Sequence, residues 1–246
     1  MKPQFKQIVT VIFSIFLLSC SSDEISSETS DSPIISIPKI PLASSIKYLA
    51  LGDSYTIGQS VCETCNYPQQ LNRSLEAIYP ETKFSLKIIA KTGWTTSNLI
   101  SAINEDNPQS NYDLVTLLIG VNNQYQGINF SVYEKEFPEL LNKAITLAKG
   151  DKKNVVVLSI PDYAFTPFGT MFGGTTKIST EIAQYNSFAE NYCKANEVPF
   201  VSITDITQKG IQIPSLVAGD GLHPSKEAYT LFVERIFPKV KVALQD

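Results

Sequence analysis

One residue type limits the chemistry open to this 246-residue chain: it contains a single histidine, His223. Imidazole is the side chain best matched to proton transfer near neutral pH. With only one, a metal site built from several histidines is excluded. Asp220 lies three residues before it, in the run Asp220-Gly221-Leu222-His223-Pro224-Ser225. Far upstream, Gly52-Asp53-Ser54-Tyr55 closes a short apolar run and places the Ser54 hydroxyl where a strand should give way to a helix. An alcohol attacks a carbonyl near neutral pH only if a neighbouring base takes its proton. Two further clusters, Lys91-Thr92-Gly93-Trp94 and Gly120-Val121-Asn122-Asn123, add glycine turns and amide donors. Taken singly, each has a plainer meaning: a serine that caps a helix, a histidine on the surface beside a proline, a glycine in a turn. Together they supply one nucleophile, one base, one acid and a set of hydrogen-bond donors, provided the fold gathers them at one edge.

The elements that must do the gathering are legible from residue 46 onward. Short apolar runs at 46–51, 84–90, 114–119, 155–160 and 198–203 read as strands, several of them closed by Gly or Pro. Between them, 67–79, 95–103, 131–148 and 181–195 carry apolar residues at helical spacing, and 225–236 forms a final helix. Thr95 or Thr96 can cap the second of these, and Gly150 suits the end of the third. Strands that alternate with helices of about ten residues or more specify right-handed βαβ crossovers. The result is one α/β domain over 46–246, with a parallel sheet covered on both faces. Ligands of such sheets bind beyond the carboxyl ends of the strands. All four clusters fall there.

In these four blocks the sequence resembles the SGNH (GDSL-type) hydrolase family, from Gly52 to His223 and so across nearly the whole folded region. The resemblance implies a three-layer α/β/α sandwich with a five-stranded, flavodoxin-like parallel sheet, and ester hydrolysis through an acyl-enzyme without a cofactor. It implies Ser54 as nucleophile and His223 as base, with Asp220 fixing the imidazole tautomer, the part played by the acid of any such triad. It assigns the oxyanion donors to the backbone N–H groups of Ser54 and Gly93 and to the side-chain amide of Asn122. Two positions depart from the family's pattern. Tyr55 stands where the first block usually has Leu. Asn123 stands where the third usually has Asp, which removes a charged support behind Asn122 and bears on turnover rather than mechanism. No Gly-x-Ser-x-Gly elbow of the α/β-hydrolase type is present.

Substrate is less legible. The stretch from Pro161 to Phe168 is aromatic-rich and projects from the ligand edge, so Tyr163, Phe165 and Phe168, with Trp94 and Tyr125, are candidates to line an acyl or sugar pocket. Its continuation through Phe172, Gly173 and Gly174 offers glycines that could hinge. An apolar wall would suit acyl lipids, and aromatic platforms beside Asn and Gln would suit O-acetylated carbohydrate. Cys62-x-x-Cys65 lacks the partners for a zinc site, because the remaining thiols are Cys20 and Cys193. In an oxidising compartment the pair is expected to form a local disulfide, and Cys193 a buried free thiol.

The first residues read as an address. Lys2 and Lys6 precede an apolar run at 8–18, too short to span a bilayer, and Ser19-Cys20 resembles a bacterial lipobox. Residues 1–19 are thus expected to be a lipoprotein signal, Cys20 the lipidated first residue, and 20–45 a Ser-, Pro- and acid-rich tether. This places the protein in the bacterial cell envelope, bound to membrane through its lipid. With 20 Lys and Arg against 24 Asp and Glu, its surface would not attract anionic lipid unaided. A pI near 5.2 without a basic block argues against nucleic acid as partner. Two other functions fit the same motifs: a surface lipoprotein that binds glycan or lipid with catalysis lost, and a thioesterase.

Overall fold

The structure, a computed structural model, describes residues 42–171 and 175–245. Cys20, the signal segment, most of the expected tether and the glycines at 173 and 174 lie outside the described residues.

The chain opens with β1 (Ser45–Gly52), α1 (Ser54–Ile57), α2 (Tyr67–Ile78), β2 (Lys83–Ala90) and α3 (Thr96–Asp106). It continues through β3 (Leu114–Leu118), α4 (Val121–Tyr125), α5 (Phe130–Leu147), β4 (Val155–Leu158), α6 (Pro167–Met171) and α7 (Thr175–Ala195). β5 (Phe200–Val201), α8 (Thr204–Thr207) and α9 (Lys226–Gln245) complete it. The strands form one parallel sheet in the order β2-β1-β3-β4-β5. α2 packs on α9, and α5 packs on both α3 and α7, so helices cover the two faces as expected. Burial from both sides explains why β3 and β4 read as unbroken apolar runs rather than alternating ones.

Register aligns the business ends of the strands. Gly52 pairs with Ala90 on one side and with Leu118 on the other, so β1, β2 and β3 finish level. Buried hydroxyls lock this region. Tyr48 on β1 and Tyr67 on α2 both bond the Thr116 hydroxyl on β3, at 2.9 and 3.2 Å. A buried polar group left unpaired would cost about 1–3 kcal/mol, and here each hydroxyl has a partner. Leu42 packs against the core and the Ser44 carbonyl accepts from Lys83 N–H, so the fold begins slightly before residue 46.

Four boundaries depart from expectation. β5 is two residues rather than six, because Pro199 has no N–H to donate and an edge strand has only one neighbour to hold it. α7 begins six residues before Glu181. α3 runs past Ile103 to Asp106 before Asn107 turns left-handed, φ 43°. α9 passes through Pro238 instead of stopping before it, since buried Val240 and Ala243 anchor its last turns and the Gln245 amide donates to the Tyr79 hydroxyl. Cys193 is buried and free, and burial pushes its thiol up to about 12.

Asp53 is a costly residue in this frame. It caps α1, with Oδ1 accepting from Tyr55 N–H at 3.0 Å, yet it is wholly buried and Oδ2 has no partner among the described residues. Burial outweighs the backbone hydrogen bonds and raises its pKa from 3.8 to about 7. Between those values the folded chain keeps a proton that the unfolded chain has released, so stability falls as pH rises from about 4 to about 7. Asn at this position keeps the capping oxygen and cannot ionise. Asp53→Asn should therefore melt at a higher temperature than wild type at pH 8, with the gap closing below about pH 4. A gap of equal size at both pH values contradicts the assignment.

Candidate active site

The sheet order reverses direction between β1 and β3, and in open α/β sheets the crevice at that switch point receives the ligand. Ser54 stands there as the first residue of α1. The first N–H groups of a helix have no acceptor within it. Asp53 satisfies that of Tyr55 and leaves the Ser54 N–H at the mouth of the turn. Tyr55, in place of the expected Leu, is buried and sets its ring edge-on to His223, with centroids 5.8 Å apart.

His223 comes from the loop before α9, which is pinned by Ala218 N–H donating to the His223 carbonyl and by a bridge between Val217 and Pro224. Its Nδ1 meets Asp220 Oδ2 at 2.6 Å. Asp220 Oδ1 accepts from the N–H groups of Leu222 and His223, each at 3.0 Å, and Oδ2 also accepts from the Ser60 hydroxyl at 2.6 Å. Partial burial pushes the Asp220 pKa upward, but these hydrogen bonds outweigh it and hold the carboxyl well below the usual range. The group is a carboxylate at any working pH. With the proton on Nδ1 facing that charge, Nε2 is left as the acceptor.

Ser54 and His223 line one cavity of about 290 Å³, with Thr92, Gly93, Val121, Asn122 and Leu222. Among the described residues the Ser54 hydroxyl is not hydrogen-bonded to the ring. Such contacts are often long before substrate binds and tighten with it.

Opposite stand the expected oxyanion donors. Gly93 has φ +83°, and a Cβ built there would touch nothing within 4 Å, so the side of the chain where a side chain would stand is open. The Asn122 amide donates to the Trp94 carbonyl at 3.0 Å, which fixes its plane and leaves a second N–H. Gly120, before α4, has φ +129°, and a Cβ there would lie 2.7 Å from the Tyr133 ring and 2.8 Å from Ile160, so this turn tolerates only glycine.

Asn123 is fully buried and answers the loss of the family's Asp. Its Oδ1 accepts from Thr96 N–H at 2.9 Å and its Nδ2 donates to the Thr96 hydroxyl at 2.7 Å. That hydroxyl donates onward to the Glu136 carboxylate, which also accepts from the Ser97 hydroxyl. The charge has moved two links away rather than vanished. A carboxylate in place of this amide would face the Thr96 oxygen acceptor to acceptor.

Tyr125, Tyr163 and Phe168 line the cavity as expected. Tyr125 is 57% exposed and meets the other two rings at 6.2 and 6.1 Å. The Tyr163 hydroxyl donates to Gln124, whose amide donates to Glu181. Trp94 and Phe165 do not line it. Both pack partly buried against the core, and at the site Trp94 contributes its carbonyl, which accepts from Asn122. Tyr133 belongs to a buried aromatic cluster with Phe137 and Tyr185. Sequence reasoning missed Thr92, Leu222 and Ser60. The last sits beside the Cys62–Cys65 pair, which is disulfide-bonded here.

No curated protein matches the sequence. Solved structures share the fold at low identity. A variant of an acetyl xylan esterase from Geobacillus stearothermophilus superposes with a TM-score of 0.64 at 19% identity, covering 81% of this chain and 96% of that one. A lipase/acylhydrolase from Enterococcus faecalis gives 0.62 at 18%, covering 81% and 97%. An α/β hydrolase from the metagenome of Lake Arreo, Spain, gives 0.63 at 18%, covering 85% and 100%. The model of the GDSL-like lipase/acylhydrolase family matches residues 50–231, from within β1 to within α9. With the blocks at 52–55, 91–94, 120–123 and 220–225 all meeting at one end of the sheet, the chain belongs to that family, the SGNH hydrolases, and is a carboxylic ester hydrolase.

Proposed function

We propose that Ser54 is the nucleophile, that His223 Nε2 takes its proton, and that Asp220 holds the imidazole in the required tautomer and stabilises the imidazolium. The observation that carries this is the 2.6 Å contact between Asp220 and His223 Nδ1, on a ring that shares the Ser54 cavity. Attack of the Ser54 oxygen on the ester carbonyl forms a tetrahedral intermediate. Its oxyanion is met by the N–H groups of Ser54 and Gly93 and the Asn122 amide, each worth about 3–4 kcal/mol. Collapse expels the alcohol, protonated by His223. Water activated by the same imidazole then releases the acid. Ser54→Ala should abolish hydrolysis of p-nitrophenyl acetate, and a variant that keeps wild-type turnover refutes the assignment.

The substrate we propose is a short-chain, chiefly acetyl, ester of a carbohydrate. About 290 Å³ lies at the low end of small-molecule sites. Among the described residues, the space behind His223, between Tyr163 and Leu216, is closed to about 10 Å³, too small to take a long chain. The exposed Tyr125 ring at the rim offers an apolar face of the kind a sugar ring stacks on. On a form lacking residues 1–39, kcat/KM should fall steeply from acetate to palmitate. A rise with chain length points to lipids instead. A glycan-binding protein without catalysis loses its one support, since Asn123 is tied through Thr96 to Glu136.

That tie can be tested. Asn123→Asp should lower stability by about 1–3 kcal/mol and reduce turnover, because it buries a carboxylate against a hydroxyl whose proton Glu136 already takes. Adding Glu136→Gln, which frees the Thr96 hydroxyl to turn toward the new carboxylate, should recover part of both. An Asn123→Asp variant as stable as wild type contradicts the hydrogen-bond directions assigned here.

Export and anchoring through a lipidated Cys20 form part of the same proposal. Its supports are the basic, apolar leader ending at Ser19-Cys20 and the Cys62–Cys65 disulfide, which suits an oxidising compartment.

A further inference from the structure

We propose that Ser60 is a positioning residue for ester hydrolysis, holding the Asp220 carboxylate in the plane that His223 needs. This rests on the reading of Asp220 as the acid of the triad. Ser60 lies 160 positions before Asp220 in sequence, and its hydroxyl donates to Oδ2 at 2.6 Å, on the same oxygen that meets His223 Nδ1. The carboxylate then has two donors on each oxygen: Leu222 and His223 N–H on Oδ1, Ser60 and His223 Nδ1 on Oδ2. Its acceptor sites are filled and its rotation is stopped. This matters because the pair is open to water, with the Asp220 side chain 30% exposed and that of His223 11%. Without Ser60, mobile water would take the fourth site.

The backbone points the same way. Ser60 has φ +67°, a left-handed conformation that residues with a Cβ rarely adopt, Asn and Asp excepted. A glycine would take it without strain, so what serine adds is the hydroxyl. The segment is tied down on all sides. Gln59 N–H donates to the Ser54 carbonyl, and the Gln59 side chain accepts from Thr92, beside the oxyanion glycine, at 2.7 Å. Cys62 and Cys65 close the next turn covalently, and Asn66 and Arg73 donate to carbonyls of Ile57, Glu63 and Thr64. One stapled loop therefore braces both flanks of the site, Thr92 on the oxyanion side and Asp220 on the base side.

The test compares Ser60→Gly and Ser60→Ala with wild type in kcat, KM, pH profile and melting temperature. Among the described residues, the titratable groups round the pair are Tyr55 from α1, Tyr229 from α9, Asp162 and Tyr163 from the segment after β4, and behind them Asp53, and all stay in place in these variants. Ser60→Gly relieves the backbone and removes the donor, so its melting temperature should equal or exceed that of wild type. Its kcat should fall roughly tenfold, the scale of one charge-assisted hydrogen bond, with KM within about twofold. Mobile water in place of the Ser60 hydroxyl donates to the carboxylate more weakly, so the acid limb of kcat/KM should move to higher pH. Combined with Asp220→Asn, Ser60→Gly should cost nothing further. Wild-type kcat and acid limb in Ser60→Gly overturn the proposal while a slow Asp220→Asn leaves the triad standing. A loss that persists in the Asp220→Asn background, with the limb unmoved, makes Ser60 merely structural and also overturns it. An Asp220→Asn enzyme as fast as wild type sinks the triad reading itself, and Ser60 with it.

Discussion

A neutral imidazole can carry its proton on either nitrogen, and only one choice leaves a lone pair for the serine. The bond between Asp220 Oδ2 and His223 Nδ1 makes that choice, because a carboxylate accepts and never donates. The choice holds only while Asp220 stays charged and still. Hydrogen bonds from two backbone N–H groups and the Ser60 hydroxyl secure both, and they keep the carboxyl ionised at a partly exposed position. The last loop exists in its shape to serve this contact. Gly221 turns with φ +72°, its carbonyl accepts from Phe168 N–H, and the Val217–Pro224 bridge fixes where His223 emerges.

Two carboxylates near Ser54 thus have opposite fates. Asp220 is open to water and richly donated to. Asp53 is buried, half satisfied, and pushed up to about 7. The difference follows from position in the fold: Asp53 lies where β1 enters α1 beneath the crevice, and Asp220 lies on a surface loop above it. Level strand ends do the rest. Because Gly52, Ala90 and Leu118 share one register line, the three turns that follow them reach the same crevice without long loops.

Much of this is legible in the sequence, for physical reasons that also mark its limits. Parallel strands buried on both faces leave continuous apolar runs, so β1 to β4 can be placed within about two residues. β5 is overdrawn because an edge strand after a proline keeps few ladder bonds, and apolar content alone does not reveal that. The end of α9 is missed because a proline that a helix tolerates looks the same as one that stops it. Ser54, Gly93, Asn122, Asp220 and His223 can be named because each belongs to a short local block. Ser60 cannot, since its partner is 160 residues away and a serine after glutamine carries no local signal. Trp94 is misassigned for a related reason: proximity to Gly93 in sequence says nothing of which way a side chain turns, and here the carbonyl rather than the ring serves the site. The role of Asn123 is half legible, as a lost charge, because the Glu136 that supplies it lies on another helix.

The central claim is that a covalent intermediate forms on one particular oxygen. Reaction of the intact enzyme with a p-nitrophenyl alkylphosphonate, followed by peptide mapping, addresses it directly. The account predicts complete inactivation with a single phosphonyl group, carried by Ser54. Complete inactivation with the label on any other residue, or continued turnover by enzyme fully labelled at Ser54, would contradict it.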